Sequence, residues 1–390
     1  MKILLISTYP PAKDGIADYT ERFIDSLSAE YKNIEVNIIA PKSNKFRQEV
    51  KIYRTLGNSR KDLYKTLQTI DEINPDIIHL QYCISLYGIN FISLYRLLHA
   101  VKRRWPNIKK IVTLHEIQRE QQKLGYMANV FYKQFTKLFD GFIVHTEVAQ
   151  NVLENVYHIP SGNVLKINFP IARLENKNLA ENVAAINKKY SLQDKLVVLL
   201  FGFIQIDKGI DDLVQAIPIL NKSPGIKKKL RVVVAGDIRA RQGVFKYFER
   251  KDKKYLRKIH KFLEKENIEH QVVFTGYVKN SYVSALFSRS DIIAIPYTSI
   301  EQSSVLGISL NALRPIVATD VGGLGETLRH AGILVGARDY EAMAEAINKI
   351  YESPQLANKL VEGYRSLLVS HSSRSVNSSI VKFYRNCEVL

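Results

Sequence analysis

The 390-residue chain is too long for one ordinary core, and its 46% hydrophobic and 10% aromatic content excludes a disordered composition. A formal net charge of +18 leaves three kinds of partner: nucleic acid, an anionic membrane surface or an anionic small substrate. No zinc-finger spacing or aromatic RNA-binding pattern supports nucleic acid, and two distant cysteines, Cys83 and Cys387, without metal-ligand spacing fit a reduced protein.

The opening "MKILLIS" is too short an apolar run for a signal peptide, and no stretch approaches the roughly 18 apolar residues of a membrane span. The expected location is the cytoplasm, free or peripheral on the inner face of the membrane. Short β-rich runs follow: "KILLIS", "VNIIA", "DIIHLQY", "KIVTLHE" and "GFIVHTE". They are apolar on both faces, as buried parallel strands are, and helix-period stretches such as Tyr19–Ala29 and Phe91–Val101 separate them. After "KINFP" comes a polar stretch, and then the pattern restarts with "KLVVLLFGF", "LRVVVAGD", "QVVFTGYV", "DIIAIPY", "PIVATD" and "AGILV". The fold class is therefore α/β: two Rossmann-like, doubly wound domains facing across a cleft. The boundary falls near Asn168–Arg173, giving domains 1–169 and 170–373. A final helix over 374–390 packs either on the second domain or back on the first.

Ligands of such sheets bind beyond the carboxyl ends of the strands. The first strand–helix turn, "STYPPAKDGIADYT", has one glycine, Gly15, which excludes the G-x-G-x-x-G dinucleotide fingerprint there. A P-loop is also absent. Gly15 is either a turn glycine or a place where backbone approaches an anion at a helix start. In the second half, Gly202, Gly236 and Gly276 each end a strand, and Lys208 opens the helix after the first of them. Strand-end glycines along one rim suit a base and ribose close to backbone, Lys208 suits a diphosphate, and Tyr277 and Val278 could flank the base. In "PYTSIEQSSVLGISLNALRPIVATDVGG" the loop carries Glu301, an acceptor for sugar hydroxyls, and Ser303 or Ser304 caps the helix that follows. The N–H groups around Ser303–Val305 would then hold a diphosphate without metal, and no D-x-D pair is present to hold one through a metal.

These pieces, in this order along nearly the whole chain, resemble retaining glycosyltransferase family 4, of the GT-B fold. The matching segments are "PPAKDGIADYTERFIDSL", "PDIIHLQY", "VTLHE", "FGFIQIDKGIDDLVQAI", "VVVAGD", "VVFTGYV" and "EQSSVLGISLNALRPIVATDVGGLGE". The resemblance implies an acceptor-binding first domain, a second domain that holds a nucleotide-sugar donor, and a last helix that crosses back to the first domain. It places Gly15 near the donor phosphates, His115 near donor sugar and acceptor, and Lys208 on the diphosphate. Gly322, Gly323 and Glu326 match a "GG-x-x-E" element. The chain departs from the pattern in three places: Asp14 stands for the first of two glycines, Phe203 and Gln205 stand where an arginine is usual, and Ser309 replaces the second of two glutamates eight positions apart. Arg239 or Arg241 would have to replace the lost cation.

The reading that follows is a metal-independent, retaining hexosyltransferase. It moves a mannose- or glucose-type sugar from a nucleoside diphosphate sugar to a glycan or lipid-linked hydroxyl, in cell-envelope or glycoprotein glycan assembly. His115, Lys208 and Glu301 are the catalytic candidates. Gly15, Gly202, Gln205, Lys208, Gly236, Gly276, Tyr277, Val278, Glu301, Ser303, Ser304, Val305 and Glu326 are the donor-binding candidates. No cofactor, metal or nucleic acid is expected. "LYRLLHAVKRRW" and "MANVFYKQFTKLF" pair apolar stripes with basic residues, either as ordinary packed helices or as a face for anionic lipid. Two other functions stay open: a nucleotide-sugar epimerase of the same fold, and a non-catalytic sugar-nucleotide or glycan-binding protein.

Overall fold

The computed structural model describes residues 1–12, 14–41, 51–84, 91–117, 120–121, 125–171, 177–241 and 246–387. Arg173 at the expected boundary and the last three residues of the expected final helix lie outside them. The chain divides into two compact units, Met1–Pro170 with His371–Leu390, and Ile171–Ser370.

Unit 1 runs β1 (Lys2–Ile6), α1 (Gly15–Glu30), β2 (Glu35–Pro41), β3 (Lys51–Leu56), α2 (Arg60–Ile73), β4 (Ile77–Tyr82), α3 (Phe91–Arg104), β5 (Lys109–Leu114), α4 (Tyr126–Phe135), β6 (Gly141–Val144) and β7 (Val164–Lys166). The sheet is parallel, in the order β3-β2-β1-β4-β5-β6-β7. Its central strands are fully buried because helices cover both faces, which is why they read as unbroken apolar runs. Strands β3 and β7 lie at the sheet edges. β3 is only half-buried and carries Lys51 and Arg54, so it lacks the apolar signature of the central strands. Helix α1 begins four residues before the expected Tyr19, because the Asp14 carboxylate caps it by accepting from the N–H groups of Ile16 and Ala17.

Unit 2 runs α5 (Leu179–Tyr190), β8 (Leu196–Phe201), α6 (Ile210–Leu220), α7 (Pro224–Lys229), β9 (Leu230–Ala235), α8 (Lys246–Glu266), β10 (Val272–Phe274), α9 (Asn280–Arg289), β11 (Ile292–Ile295), α10 (Ser304–Asn311), β12 (Ile316–Thr319), α11 (Gly322–Leu328), β13 (Ile333–Val335), α12 (Tyr340–Glu352) and α13 (Pro354–Ser370). Its parallel sheet has the order β10-β9-β8-β11-β12-β13. Both sheets thus reverse direction once, between β1 and β4 in unit 1 and between β8 and β11 in unit 2. Those switch points open a crevice at the strand carboxyl ends.

The chain then returns to unit 1 as α14 (Ser373–Asn386). Its Val376, Ile380, Val381, Phe383 and Tyr384 join Phe23, Ile24 and Leu27 of α1 in one core. Both cysteines are buried thiols. Among the described residues no helix is long and apolar enough to cross a membrane, and no three His, Cys, Asp or Glu side chains gather as a metal-ligand group.

Candidate active site

In unit 2 the site residues cluster at the β8/β11 switch point. After β8 the chain stays extended beside the segment after β9: Gly202 N–H donates to Ala235 and Ile204 N–H to the Asp237 carbonyl. A Cβ on Gly236, at φ +154°, would run into the Gly202 carbonyl, so only glycine allows this approach. Gly236 in turn pairs with Gly276, which joins the three strand-end glycines along one rim.

A short 3-10 turn, Ile206–Lys208, carries the lysine. Its amide donates to the Gln205 carbonyl. The turn is stitched to the loop after β11, where Thr298 N–H donates to the Asp207 carbonyl. The Lys208 ammonium sits 3.7 Å from the centroid of the Tyr297 ring. Tyr297 is buried, and burial pushes that phenol well above its ordinary pKa. It therefore stays a neutral support for the cation. Ser303 resolves the capping alternative: its hydroxyl accepts from Leu306 N–H, while Ser304 is the first helical residue and is exposed. Val305 lies in the same first turn, close to Gly202.

Glu301 is buried, and its carbonyl accepts from Gly323 N–H at the start of α11. Half-buried Glu326 lies on α11 itself. Ser309 is fully buried, and its hydroxyl donates back to the Val305 carbonyl. Tyr277 is 70% exposed, whereas Val278 packs against the core, so these two do not stand as a matched pair. Arg239 stacks its guanidinium 5.8 Å from the Phe203 ring, while Arg241 is committed to Asp252 at 2.5 Å.

In unit 1, Gly15 opens α1, but the helix start is already served by the Asp14 carboxylate, which also accepts from the Thr8 hydroxyl. A second anion would meet that charge. His115 follows β5 and is buried. Gln81 orients it: His115 Nε2 donates to Gln81 Oε1 at 2.8 Å, which leaves the lone pair on Nδ1. The Gln81 amide nitrogen points to His79 Nε2, which also receives the Thr113 hydroxyl, so His79 Nδ1 donates to the Tyr384 hydroxyl at 2.6 Å. Burial holds the imidazole of His115 well below its usual pKa, that of His79 down to about 3 and that of His145 down to about 4. All three are neutral near pH 7. His145 lies 5.2 Å from His115 ring to ring, and Tyr19 of α1 lies edge-on to both.

Tyr297, Gln81, His145 and Tyr19 were not among the expected site residues. His145 had a signal, since "GFIVHTE" repeats the strand–histidine ending of "KIVTLHE". Gln81 and Tyr19 are ordinary strand and helix residues until unit 1 sets them beside His115, and Tyr297 is one until unit 2 sets it under Lys208.

This fold, with such sites at the switch points, defines a glycosyltransferase of the GT-B class. Residues 182–366 match the family of glycosyl transferases group 1, and residues 13–168 match Glycosyltransferase Family 4. The chain belongs to these family 4 glycosyltransferases. It is 20% identical to alpha-D-kanosaminyltransferase of Streptomyces kanamyceticus over 244 residues, 62% of this chain and 58% of that one. It is 22% identical to alpha-monoglucosyldiacylglycerol synthase of Streptococcus pneumoniae over 260 residues, 65% and 54% of the two chains. The matches thus span little more than half of these relatives. The structure of HepE from Anabaena, in complex with UDP, aligns over 98% of this chain and 99% of its own at a TM-score of 0.70 and 17% identity. A further structure of HepE contains UDP-glucose.

Proposed function

We propose that the protein transfers a glucose- or mannose-type hexosyl group from a nucleoside diphosphate sugar to a hydroxyl of a glycan or glycolipid in envelope or glycoprotein glycan assembly. The observation that carries this reading is the Lys208 ammonium seated on Tyr297 beside the Ser303-capped helix start. A diphosphate leaving group needs cations and N–H donors fixed in place before charge develops. Lys208 supplies the cation, and the amides of Ser304 and Val305 supply the donors. Arg239 over Phe203 offers a second cation where the family arginine is absent. The UDP and UDP-glucose complexes of HepE support a nucleotide-sugar donor by analogy.

In the proposed step the acceptor oxygen bonds to the anomeric carbon while the bond from that carbon to the phosphate oxygen breaks. The acceptor proton passes to the leaving phosphate, and attack from the same face retains configuration. No metal takes part. Glu301 accepts from sugar hydroxyls. His115, neutral and held by Gln81, offers its Nδ1 lone pair to position a hydroxyl. The glycines on the rim, with Gln205, Val278 and Glu326, complete the donor site, and Tyr277 is exposed enough to close over a base.

A lipid-linked acceptor has support from α4, where Tyr126, Met127 and Val130 are exposed apolar residues near Lys133 and Lys137. Helix α3 gives less, because Lys102 donates to the Lys137 carbonyl and Arg104 pairs with Asp71. The name of the diacylglycerol-glucosylating relative points the same way. A thermal-shift screen of nucleoside diphosphate sugars tests the reading. One donor should stabilise the protein strongly, whereas a blank screen would favour a non-catalytic binding protein.

A further inference from the structure

A cavity of about 540 Å³ lies in unit 2 between α6 and α8, and none of the rim glycines is among the described residues that line it. Lys251, Lys254 and Lys258 line one side of it. Their i, i+3, i+7 spacing puts three ammonium groups along one face of α8, over about 10 Å of helix. None of the three forms an ion pair among the described residues. The acids of α8 nearest to them are engaged elsewhere: Asp252 binds Arg241, and Glu249 binds Lys253. Among the described residues the one carboxylate that lines the cavity, Asp211, is paired with Arg338 at 2.6 Å and accepts from the Tyr255 hydroxyl. No carboxylate among the described residues pairs with the three lysines, and the Lys251 ammonium lies 4.5 Å from the centroid of the Tyr247 ring. The floor is apolar, formed by Val214, Ile259 and Phe262.

We propose that this cavity is a second binding site, for a phosphate-bearing ligand whose apolar part rests on the floor while its phosphate meets the lysine rim. Lysine ammonium groups along one helix face without carboxylate partners gain from a phosphate, and an apolar floor favours a ligand with an apolar part. The same cavity touches Ile206, the first residue of the turn that carries Lys208. An occupant thus contacts the element that presents the diphosphate-binding lysine, which makes the site regulatory in character. The binding site itself does not rest on the proposed transferase reaction, since the cavity shares no side chain with the donor site, whereas its regulatory character rests on the role proposed for Lys208. The phosphate could come from a lipid headgroup or from a soluble organic phosphate, and the chemistry of the site is the same for both.

The test is calorimetric titration in the Lys208→Ala background, where the proposed diphosphate site is disabled. Phenyl phosphate, a soluble organic phosphate, and dihexanoylphosphatidylglycerol, below its micelle concentration, are the two probes. The Lys254→Glu/Lys258→Glu pair is compared with the charge-matched Lys228→Glu/Lys229→Glu pair on α7, which is exposed and lies outside the cavity. At least one probe should bind at one equivalent, about tenfold more weakly in the Lys254/Lys258 variant and nearly unchanged in the control. Binding of the lipid alone assigns the site to a headgroup, and binding of phenyl phosphate alone assigns it to a soluble organic phosphate. No binding by either probe, or equal behaviour of the two charge-reversed pairs, would overturn the proposal.

Discussion

Lys208 and Tyr297 meet as a cation over an aromatic face, 3.7 Å from ammonium to ring centroid, although 89 positions separate them in the chain. The lysine comes from the turn after β8 and the tyrosine from the loop after β11, on the two sides of the switch point of unit 2. The neutral, buried phenol fixes the cation without cancelling its charge. Replacing Lys208 by alanine should therefore lower turnover by about 10²-fold or more, as removal of one preorganised charge stabiliser does. The melting temperature should hardly move, because the side chain is not part of the core. Steady-state rates with the donor found by screening check this, alongside a thermal melt.

Gly209 holds that turn in place. It adopts φ +62°, and a Cβ there would run into the Pro296 carbonyl. Gly209→Ala should cost about 1–3 kcal/mol of stability through strain, and should shift the Lys208 turn away from Tyr297. Denaturant unfolding reads the first effect and donor affinity the second. An alanine variant with unchanged affinity would show that the turn has no need of this packing.

Much of this architecture was legible because parallel strands covered on both faces are apolar without interruption, as in "KILLIS" and "KLVVLLFGF". The edge strand Lys51–Leu56 was not, since one exposed edge tolerates lysine and arginine. The helix N-cap remained open between Ser303 and Ser304, because both are good caps and only backbone geometry chooses. Lys208 was legible from its place after a strand-end glycine. Tyr297 was not, because the pairing depends on register between β8 and β11. The Asp14 cap was also hidden: as a sequence "KDGIADYT" fits an open anion-binding turn, whereas the carboxylate fills it.

Tyr384 of the last helix receives the Nδ1 hydrogen of His79, 305 positions earlier in the chain. Tyr384→Phe should leave that buried donor without a partner and cost about 1–3 kcal/mol. Urea unfolding of the variant measures it. An unchanged midpoint would mean that the histidine finds another acceptor.

Glu120 provides a pH-dependent prediction. It is buried, accepts from Ile84 N–H and the Tyr132 hydroxyl, and burial pushes its carboxyl up from 4.5 to about 7. The folded state therefore holds this proton more tightly than the unfolded state. Its contribution to stability is fully present below pH 4.5 and is lost as pH rises through about 7. The buried histidines act with the opposite sign, losing stability as pH falls below their unfolded value of 6.5. The difference between wild type and Glu120→Gln isolates the glutamate. Relative to the variant, wild type should lose melting temperature from pH 5 to pH 8. Parallel curves would contradict the assignment.

The most direct test of the central claim is product analysis after incubation with a sugar-labelled nucleoside diphosphate donor and a hydroxyl acceptor. The account predicts free nucleoside diphosphate and label bonded to the acceptor in equal amounts, with both lost in Lys208→Ala. Label that remains on the nucleotide as an epimerised sugar, or product formation undiminished in Lys208→Ala, would contradict it.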